Sequence, residues 1–285
     1  MKLVTRSQTS EILRKFGFRL SRDLGQNFLV DDNILQKILS ASDLGPNDTI
    51  LEIGAGIGTL TEALAKKVAK VISVEIDHRL IPILSQTLSG CENVKIINAD
   101  ALDLDVGQLA FDGASATKMV SNLPYSVAAP VILKCFIEQE NISEMVVMVQ
   151  REIAERILAD PGNKNYGAFT VKLRYFCRAE KLMTVSRHSF LPEPNINSMV
   201  IKLTRWEKPP VGIDRHRLFE LVGAGFGQRR KMLVNSVSGV LKIDKALIEA
   251  AQEAAGLSKK IRAENLTLTE FARLAEKLQN LGPLS

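Results

Sequence analysis

Leu51-Glu52-Ile53-Gly54-Ala55-Gly56-Ile57-Gly58-Thr59-Leu60 places three glycines where a β-branched apolar run ends and a helix-like stretch begins. Glycine permits a tight turn and lets a ligand approach the backbone, and the start of a helix offers unpaired amide hydrogens. Outward from this loop, short apolar runs alternate with helix-like segments between about Asp48 and Gln150. The runs are Thr49 to Ile53, Val71 to Glu75, Val94 to Asn98, Lys118 to Asn122 and Met145 to Gln150. Parallel strands require crossovers, so the alternation predicts a doubly wound α/β domain with helices on both faces of its sheet. In such sheets ligands sit beyond the carboxyl ends of the strands, which directs attention to the residues just after each run.

The glycine spacing is GxGxG. A dinucleotide fingerprint needs glycine or alanine at position 59, and the chain has Thr59. The spacing resembles the cofactor loop of class I methyltransferases, whose ligand carries no pyrophosphate and is contacted through its amino-acid moiety and ribose. The next run ends Val74-Glu75-Ile76-Asp77, at the distance where an acidic residue meets a pair of ribose hydroxyls, and Glu75 is the expected ribose ligand. The third run ends Ile97-Asn98-Ala99-Asp100-Ala101. Asp100 is expected at the ligand edge of the sheet, accepting from the adenine amino group of the cofactor.

The fourth run ends Ser121-Asn122-Leu123-Pro124-Tyr125, which resembles the (Asp/Asn)-Pro-Pro-aromatic motif of methyltransferases acting on amino groups. The lone pair of adenine N6 is delocalised into the ring, so the nitrogen is a poor nucleophile until acceptors hold its hydrogens and favour pyramidalisation. The side-chain oxygen of Asn122 and the carbonyl of Leu123 suit that task. Pro124 fixes φ and removes a competing donor, and Tyr125 supplies a face for the base, a contact worth about 1–3 kcal/mol. A sulfonium is a powerful electrophile and the N6 proton becomes acidic only after transfer, so no strong general base is needed.

At 285 residues and 46% hydrophobic, the chain has material for one large core and a small second domain. The apolar runs are far shorter than the roughly 20 residues that span a bilayer, and the N-terminus lacks a secretory pattern. These features predict a soluble cytoplasmic protein. Cys91, Cys135 and Cys177 are odd in number, widely spaced and without a CxxC pair, which predicts buried, inert thiols in a reducing compartment and no metal. The net charge of +5 hides segregation. Lys2, Arg6, Arg14, Lys15, Arg19 and Arg22 face Glu11 alone in residues 1–22, whereas residues 43–120 hold six basic against eleven acidic side chains. Basic excess returns at Lys172, Arg174, Arg178, Lys181 and Arg187, and again at Arg229, Arg230 and Lys231. An anionic partner touching the termini and the second half, away from an acidic small-molecule centre, explains such a pattern.

Phe169 to Phe176, Ala179 to Val185 and Met199 to Leu203 read as further strands of the same sheet. Trp206-Glu-Lys-Pro-Pro-Val-Gly reads as a linker, and Leu257, Ile261, Leu266, Leu268, Phe271, Leu274 and Leu278 recur at helical spacing beyond it. The expected division is a first domain over residues 1–207, with 1–22 a basic N-terminal segment, and a helical domain over 208–285.

Several segments together resemble the KsgA/RsmA family of rRNA adenine N6,N6-dimethyltransferases. They are Leu24 to Asp31, Glu52 to Thr61, Asn98 to Ala101, Asn122 to Tyr125, Gln150 to Arg156, Tyr166-Gly167, Phe190-Leu191-Pro192-Glu193-Pro194 and Phe226-Gly227-Gln228-Arg229-Arg230-Lys231, and the likeness runs from about residue 20 to the C-terminus. The resemblance implies a class I, Rossmann-like domain that uses S-adenosylmethionine, and a substrate of two adjacent adenines near the 3′ end of small-subunit rRNA within the assembling subunit. It implies that Asn27 and Leu29 close over the cofactor, with Gly54, Gly56, Glu75, Asp100, Ala101 and Asn122 completing the contacts. It further implies that Phe190 stacks on the adenine opposite Tyr125, and that the protein is a monomer. Arg229, Arg230 and Lys231, expected at a helix start, offer fixed charge to RNA phosphates. Ala55 stands where the family commonly has proline, and Asn195-Ile196-Asn197 where a lysine and an aspartate are usual. Two rival readings are a large-subunit adenine methyltransferase of the macrolide-resistance type, against which the region from Asp214 to Ser285 argues, and a non-catalytic assembly factor, against which Asn122, Pro124, Tyr125 and Glu75 argue.

Overall fold

A computed structural model describes residues 3–21, 25–105, 108–228 and 230–281. The chain forms two compact units, one made of Met1–Ala154 and Ala179–Arg205, the other of Glu155–Arg178 and Trp206–Ser285.

The first unit is built on a seven-stranded sheet of β1 (Thr49–Ile53), β2 (Lys70–Glu75), β3 (Val94–Asn98), β4 (Lys118–Asn122), β5 (Glu144–Gln150), β6 (Cys177–Val185) and β7 (Ser198–Arg205). Their spatial order is β3-β2-β1-β4-β5-β7-β6. Neighbours from β3 to β5 run parallel, and β7 is antiparallel to β5. The order reverses between β1 and β4, the switch point at which a crevice opens beyond the strand ends. All five residues of β1 are buried, as expected of a central parallel strand covered on both faces. Helices α1 (Arg6–Lys15), α2 (Asp32–Ala41), α3 (Thr59–Ala65), α4 (Ile81–Thr87), α5 (Ala128–Glu138) and α6 (Arg151–Leu158) precede or follow these strands. Thr5 caps α1 and Asp31 caps α2 by accepting from backbone amides of their first turns. Two short strands, Phe28–Leu29 and Phe190–Leu191, pair antiparallel beside the main sheet.

Phe169 to Phe176 is not a strand. Residues Ala168–Phe176 form helix α7. Phe169, Leu173 and Phe176 recur at i, i+4 and i+7 and are all buried, and that period overrode the aromatic and β-branched content that suggests a strand.

The second unit takes in Glu155–Arg178 as well as the expected helical region, which comprises α8 (Arg215–Phe226), α9 (Leu233–Leu241), α10 (Lys245–Ala254) and α11 (Leu268–Leu281). The reason lies in Tyr166 and α7. The fully buried Tyr166 donates its hydroxyl to the Leu266 carbonyl at 2.7 Å. Tyr175, Phe176 and Phe219 meet edge to face. Trp206 is bound to α7 through its amide, on the Phe176 carbonyl, and through its indole, on the Arg174 carbonyl. Packing therefore assigns the segment before β6 to the helical unit, although the chain returns to the sheet afterwards. No helix of the described residues is long and apolar enough to cross a membrane.

Candidate functional site

A cleft enclosing about 780 Å³, open solvent included, lies beyond the carboxyl ends of β1, β2 and β4. Its walls come from the N-terminal segment Gly25 to Leu29, the glycine loop, the end of β2 and the Asn122–Tyr125 tetrapeptide. These are the segments that a switch-point site is expected to recruit.

The glycine loop is held from below. The amide of Gly54 donates to the Val74 carbonyl at 2.8 Å. Gly54 has φ +87°, and a Cβ there would come within 3.1 Å of Pro124 Cδ, so both the backbone and the neighbouring motif demand glycine. Glu75 is 6% exposed. Its Oε2 accepts from the Gly56 amide at 2.8 Å and its Oε1 from the Asp77 amide at 2.9 Å. Burial pushes the carboxyl pKa up, while those backbone donors and that of Ile76 pull it down. Each carboxylate oxygen keeps a lone pair for a further donor, so Glu75 can anchor the loop and still receive a ribose diol.

Glu52 was not anticipated. It sits mid-strand in β1, is 1% exposed, and lines the cleft. Thr61 Oγ1 and Ser73 Oγ both donate to its Oε2, at 2.6 and 2.7 Å. Desolvation, aided by the charge of Glu75, raises its pKa from the ordinary 4.5 to about 8. The folded state thus binds more protons than the unfolded state between those values, and stability falls as pH rises through that window. Glu52→Gln keeps an acceptor for both hydroxyls and cannot ionise. Its melting temperature is expected to gain on wild type as pH rises from 5 to 9, in paired thermal melts; a constant difference would show that Glu52 does not titrate there. The available signal was one acidic residue inside an otherwise apolar run.

Asn122 ends β4. Its Nδ2 donates to the backbone carbonyl of Asn27 at 3.2 Å, which leaves Oδ1 as the atom offered for accepting. The side chain of Asn27 in turn donates to the Gly25 carbonyl at 2.8 Å, so this residue reaches Asn122 through its main chain. Leu123 spends its amide on the Met148 carbonyl of β5 and presents a carbonyl next to Asn122. Tyr125 lines the cleft with its hydroxyl 2.9 Å from Ser198 Oγ. Gln26 Nε2 donates to Asp77 Oδ2 at 2.7 Å, and Arg79 holds the same carboxylate well below its usual pKa. Through this carboxylate the N-terminal segment is tied to the loop after β2.

The structure brings Asn27, Leu29, Gly54, Gly56, Glu75 and Asn122 to Tyr125 together in the cleft. Asp100 and Ala101 stand at the end of β3 but are not among its walls, and Asp100 Oδ1 accepts from the Leu102 amide to close a turn. Phe190 is fully buried with Leu29, Val185 and Val200, away from the cleft surface. Ile76, 44% exposed, lines the cleft beside Glu75 and was not anticipated. Asn197 Oδ1 accepts from the Arg187 amide at 3.0 Å, a task open equally to the aspartate usual there. Arg230 and Lys231 are exposed in the loop joining α8 to α9 rather than at a helix start, since Phe226 ends α8 and α9 begins at Leu233; Arg229 lies outside the described residues. Among the described residues no cluster of three or more His, Cys, Asp or Glu is arranged to hold a metal. Cys135 and Cys177 are buried and Cys91 is half-buried.

The profile of the ribosomal RNA adenine dimethylase family matches residues 17–280. The chain belongs to that family. The "Ribosomal RNA small subunit methyltransferase A" of Alkaliphilus metalliredigens is 42% identical over 281 residues, covering 97% of this chain and 98% of the relative. The protein of the same name from Geobacillus thermodenitrificans is 44% identical over 286 residues, covering 98% of each. Among solved structures, a dimethyladenosine transferase from Plasmodium falciparum superposes with a TM-score of 0.76 at 26% identity, covering 90% of this chain and 98% of that one. The 23S rRNA methyltransferase ErmE superposes with a TM-score of 0.68 at 27% identity, covering 89% and 100%. The fold is thus shared with a dimethyladenosine transferase and with a 23S rRNA methyltransferase, while both of the more similar relatives carry the small-subunit name.

The residues present fit S-adenosylmethionine. The loop and Glu75 face one cleft, and Thr59 Oγ1, buried without a hydrogen-bond partner, is in the same wall. A buried hydroxyl left unpaired costs about 1–3 kcal/mol, which a polar ligand end seated there would relieve.

Proposed function

We propose that this dimethylase places two methyl groups on N6 of each of two adjacent adenines in the 3′-terminal loop of small-subunit rRNA, using S-adenosylmethionine. The observation that carries the reading is the Asn122–Tyr125 tetrapeptide lining the same cleft as the glycine loop and Glu75. Amino-group chemistry and cofactor binding thereby share one cavity. Bound there, the cofactor supplies an electrophilic methyl on a sulfonium.

Glu75 would receive the ribose hydroxyls of the cofactor, Ile76 would pack against its adenine, and Asp100 would accept from its amino group. An acceptor adenine taken out of its stack lies on Tyr125. Asn122 Oδ1 and the Leu123 carbonyl would accept the two N6 hydrogens in the first transfer, and one of them the single remaining hydrogen in the second, drawing the lone pair out of conjugation. With the cofactor bound, N6 would take the methyl as the carbon–sulfur bond gives way, these residues holding the nitrogen in line, and the N6 proton would pass to solvent. Phe190 serves as a second stacking face, a role that requires base entry to draw its ring out of the core. We place this activity on the assembling small subunit, in the cytoplasm, with the enzyme acting as a monomer.

The decisive experiment is transfer of labelled methyl to small ribosomal subunits lacking the modification, followed by nucleoside mass spectrometry. Dimethyladenosine in the 3′-terminal fragment is expected. Label in large-subunit RNA instead would move the chain to the resistance-type enzymes, and no label anywhere would favour a non-catalytic assembly factor. Replacing Arg230 and Lys231 with alanine is expected to weaken subunit binding and to flatten its salt dependence by about one logarithmic unit per lost phosphate contact. An unchanged slope would assign both residues to solvent.

A further inference from the structure

Tyr125 is tied to a strand that takes no part in the cofactor half of the sheet. Ser198, the first residue of β7, is fully buried and lies 2.9 Å from the Tyr125 hydroxyl. In the ladder it stands opposite Gln150 of β5, the strand whose Met148 carbonyl receives the Leu123 amide. The tetrapeptide is therefore fixed at two points, its main chain to β5 and its aromatic ring to β7.

A hydroxyl buried at a strand position costs free energy unless it is paired, and the phenol is its partner here. Burial raises the Tyr125 pKa, so the phenol keeps its proton and remains able to donate. A hydrogen bond at the far end of an aromatic ring removes freedom that packing along its sides leaves open. Methyl transfer needs the N6 lone pair in line with the breaking carbon–sulfur bond, and small misplacements of reacting atoms cost large factors in rate.

We propose that Ser198 is a positioning residue for methyl transfer: its hydroxyl, bonded to the Tyr125 phenol, holds the aromatic face so that a stacked adenine presents N6 to Asn122. This rests on the reading of Tyr125 as the platform for the acceptor base. The role is distinct from cofactor binding, since Ser198 is not part of the cleft wall.

The test compares Ser198→Ala, Tyr125→Phe and the double variant by single-turnover methyl transfer, calorimetric binding of S-adenosylhomocysteine, and thermal melts. Each single change is expected to slow transfer about tenfold, with cofactor affinity within about twofold of wild type. The double variant is expected to be no slower than either single one, because both remove the same bond. Ser198→Thr, which keeps the hydroxyl, is expected to restore most of the rate. Wild-type rates in Ser198→Ala, or losses that multiply in the double variant, would overturn the inference. Should Ser198→Ala fail to fold, Tyr125→Phe decides alone, and an unchanged rate there overturns it. Tyr125→Ala separates the two levels: if it keeps the wild-type rate, the platform reading itself falls, whereas its collapse beside an unaffected Tyr125→Phe removes only the role of Ser198.

Discussion

Asn122→Ala is expected to slow methyl transfer by at least about a hundredfold while RNA affinity stays within a few-fold. Removing one preorganised polar contact aimed at a transition state typically costs factors of this size. The acceptor acts on N6 as it pyramidalises, so the loss belongs in the rate of the chemical step rather than in binding. Asn122→Asp gives a finer test. The amide presents Oδ1 because its Nδ2 donates to the Asn27 carbonyl; a carboxylate has no hydrogen to donate there and would face that carbonyl with like partial charge. Asn122→Asp is therefore expected to recover only part of the rate, although it supplies two acceptors. Near-normal turnover in Asn122→Ala, read in single-turnover assays, would place nitrogen activation elsewhere.

Glu75→Ala is expected to weaken cofactor binding about a hundredfold or more, measured by calorimetry, with subunit binding retained. Two losses add. The ribose diol loses its acceptor, and hydrogen bonds to a charged group contribute about 1.5–3 kcal/mol each. The amides of Gly56 and Asp77 also lose their shared partner, so the loop and the end of β2 are no longer joined. The raised pKa of Glu75 adds a pH signature. Hydroxyl donors favour the ionised carboxylate, so cofactor binding expels its proton and wild-type affinity is expected to weaken as pH falls. Glu75→Ala is expected to lose that part of the pH dependence. Equal affinity in variant and wild type would remove Glu75 from the site.

Much of the fold was legible because the central strands are buried on both faces and stand out as apolar runs. Their ends line the cleft, so Glu75 was marked out by its position and Asn122 by position together with the motif it resembles. Phe169 to Phe176 misled because a short aromatic run fits either period, and only the partners of its buried face decide between them. Glu52 escaped notice because an acidic residue in a strand gives no hint that Thr61 and Ser73 will meet it from two other elements. Ser198 escaped for the same reason, since its partner lies 73 positions away. Phe190 shows the converse: a resemblance assigns it a stacking role, while its full burial is a property of packing that the sequence does not display.

The bond from Asn122 to Asn27 bears on how the chain tolerates genetic drift. The acceptor at residue 27 is a main-chain oxygen, so any amino acid there supplies it. What cannot change is the count of residues between that oxygen and the pairing of Phe28 with Leu191. Substitutions at position 27 leave the clamp on Asn122 in place, whereas a one-residue insertion or deletion moves the oxygen by roughly 3.3 Å of chain, farther than a hydrogen bond can stretch. The bond to Asn122 thus depends on the length of the chain here, while the identity of residue 27 bears on its own bond to the Gly25 carbonyl.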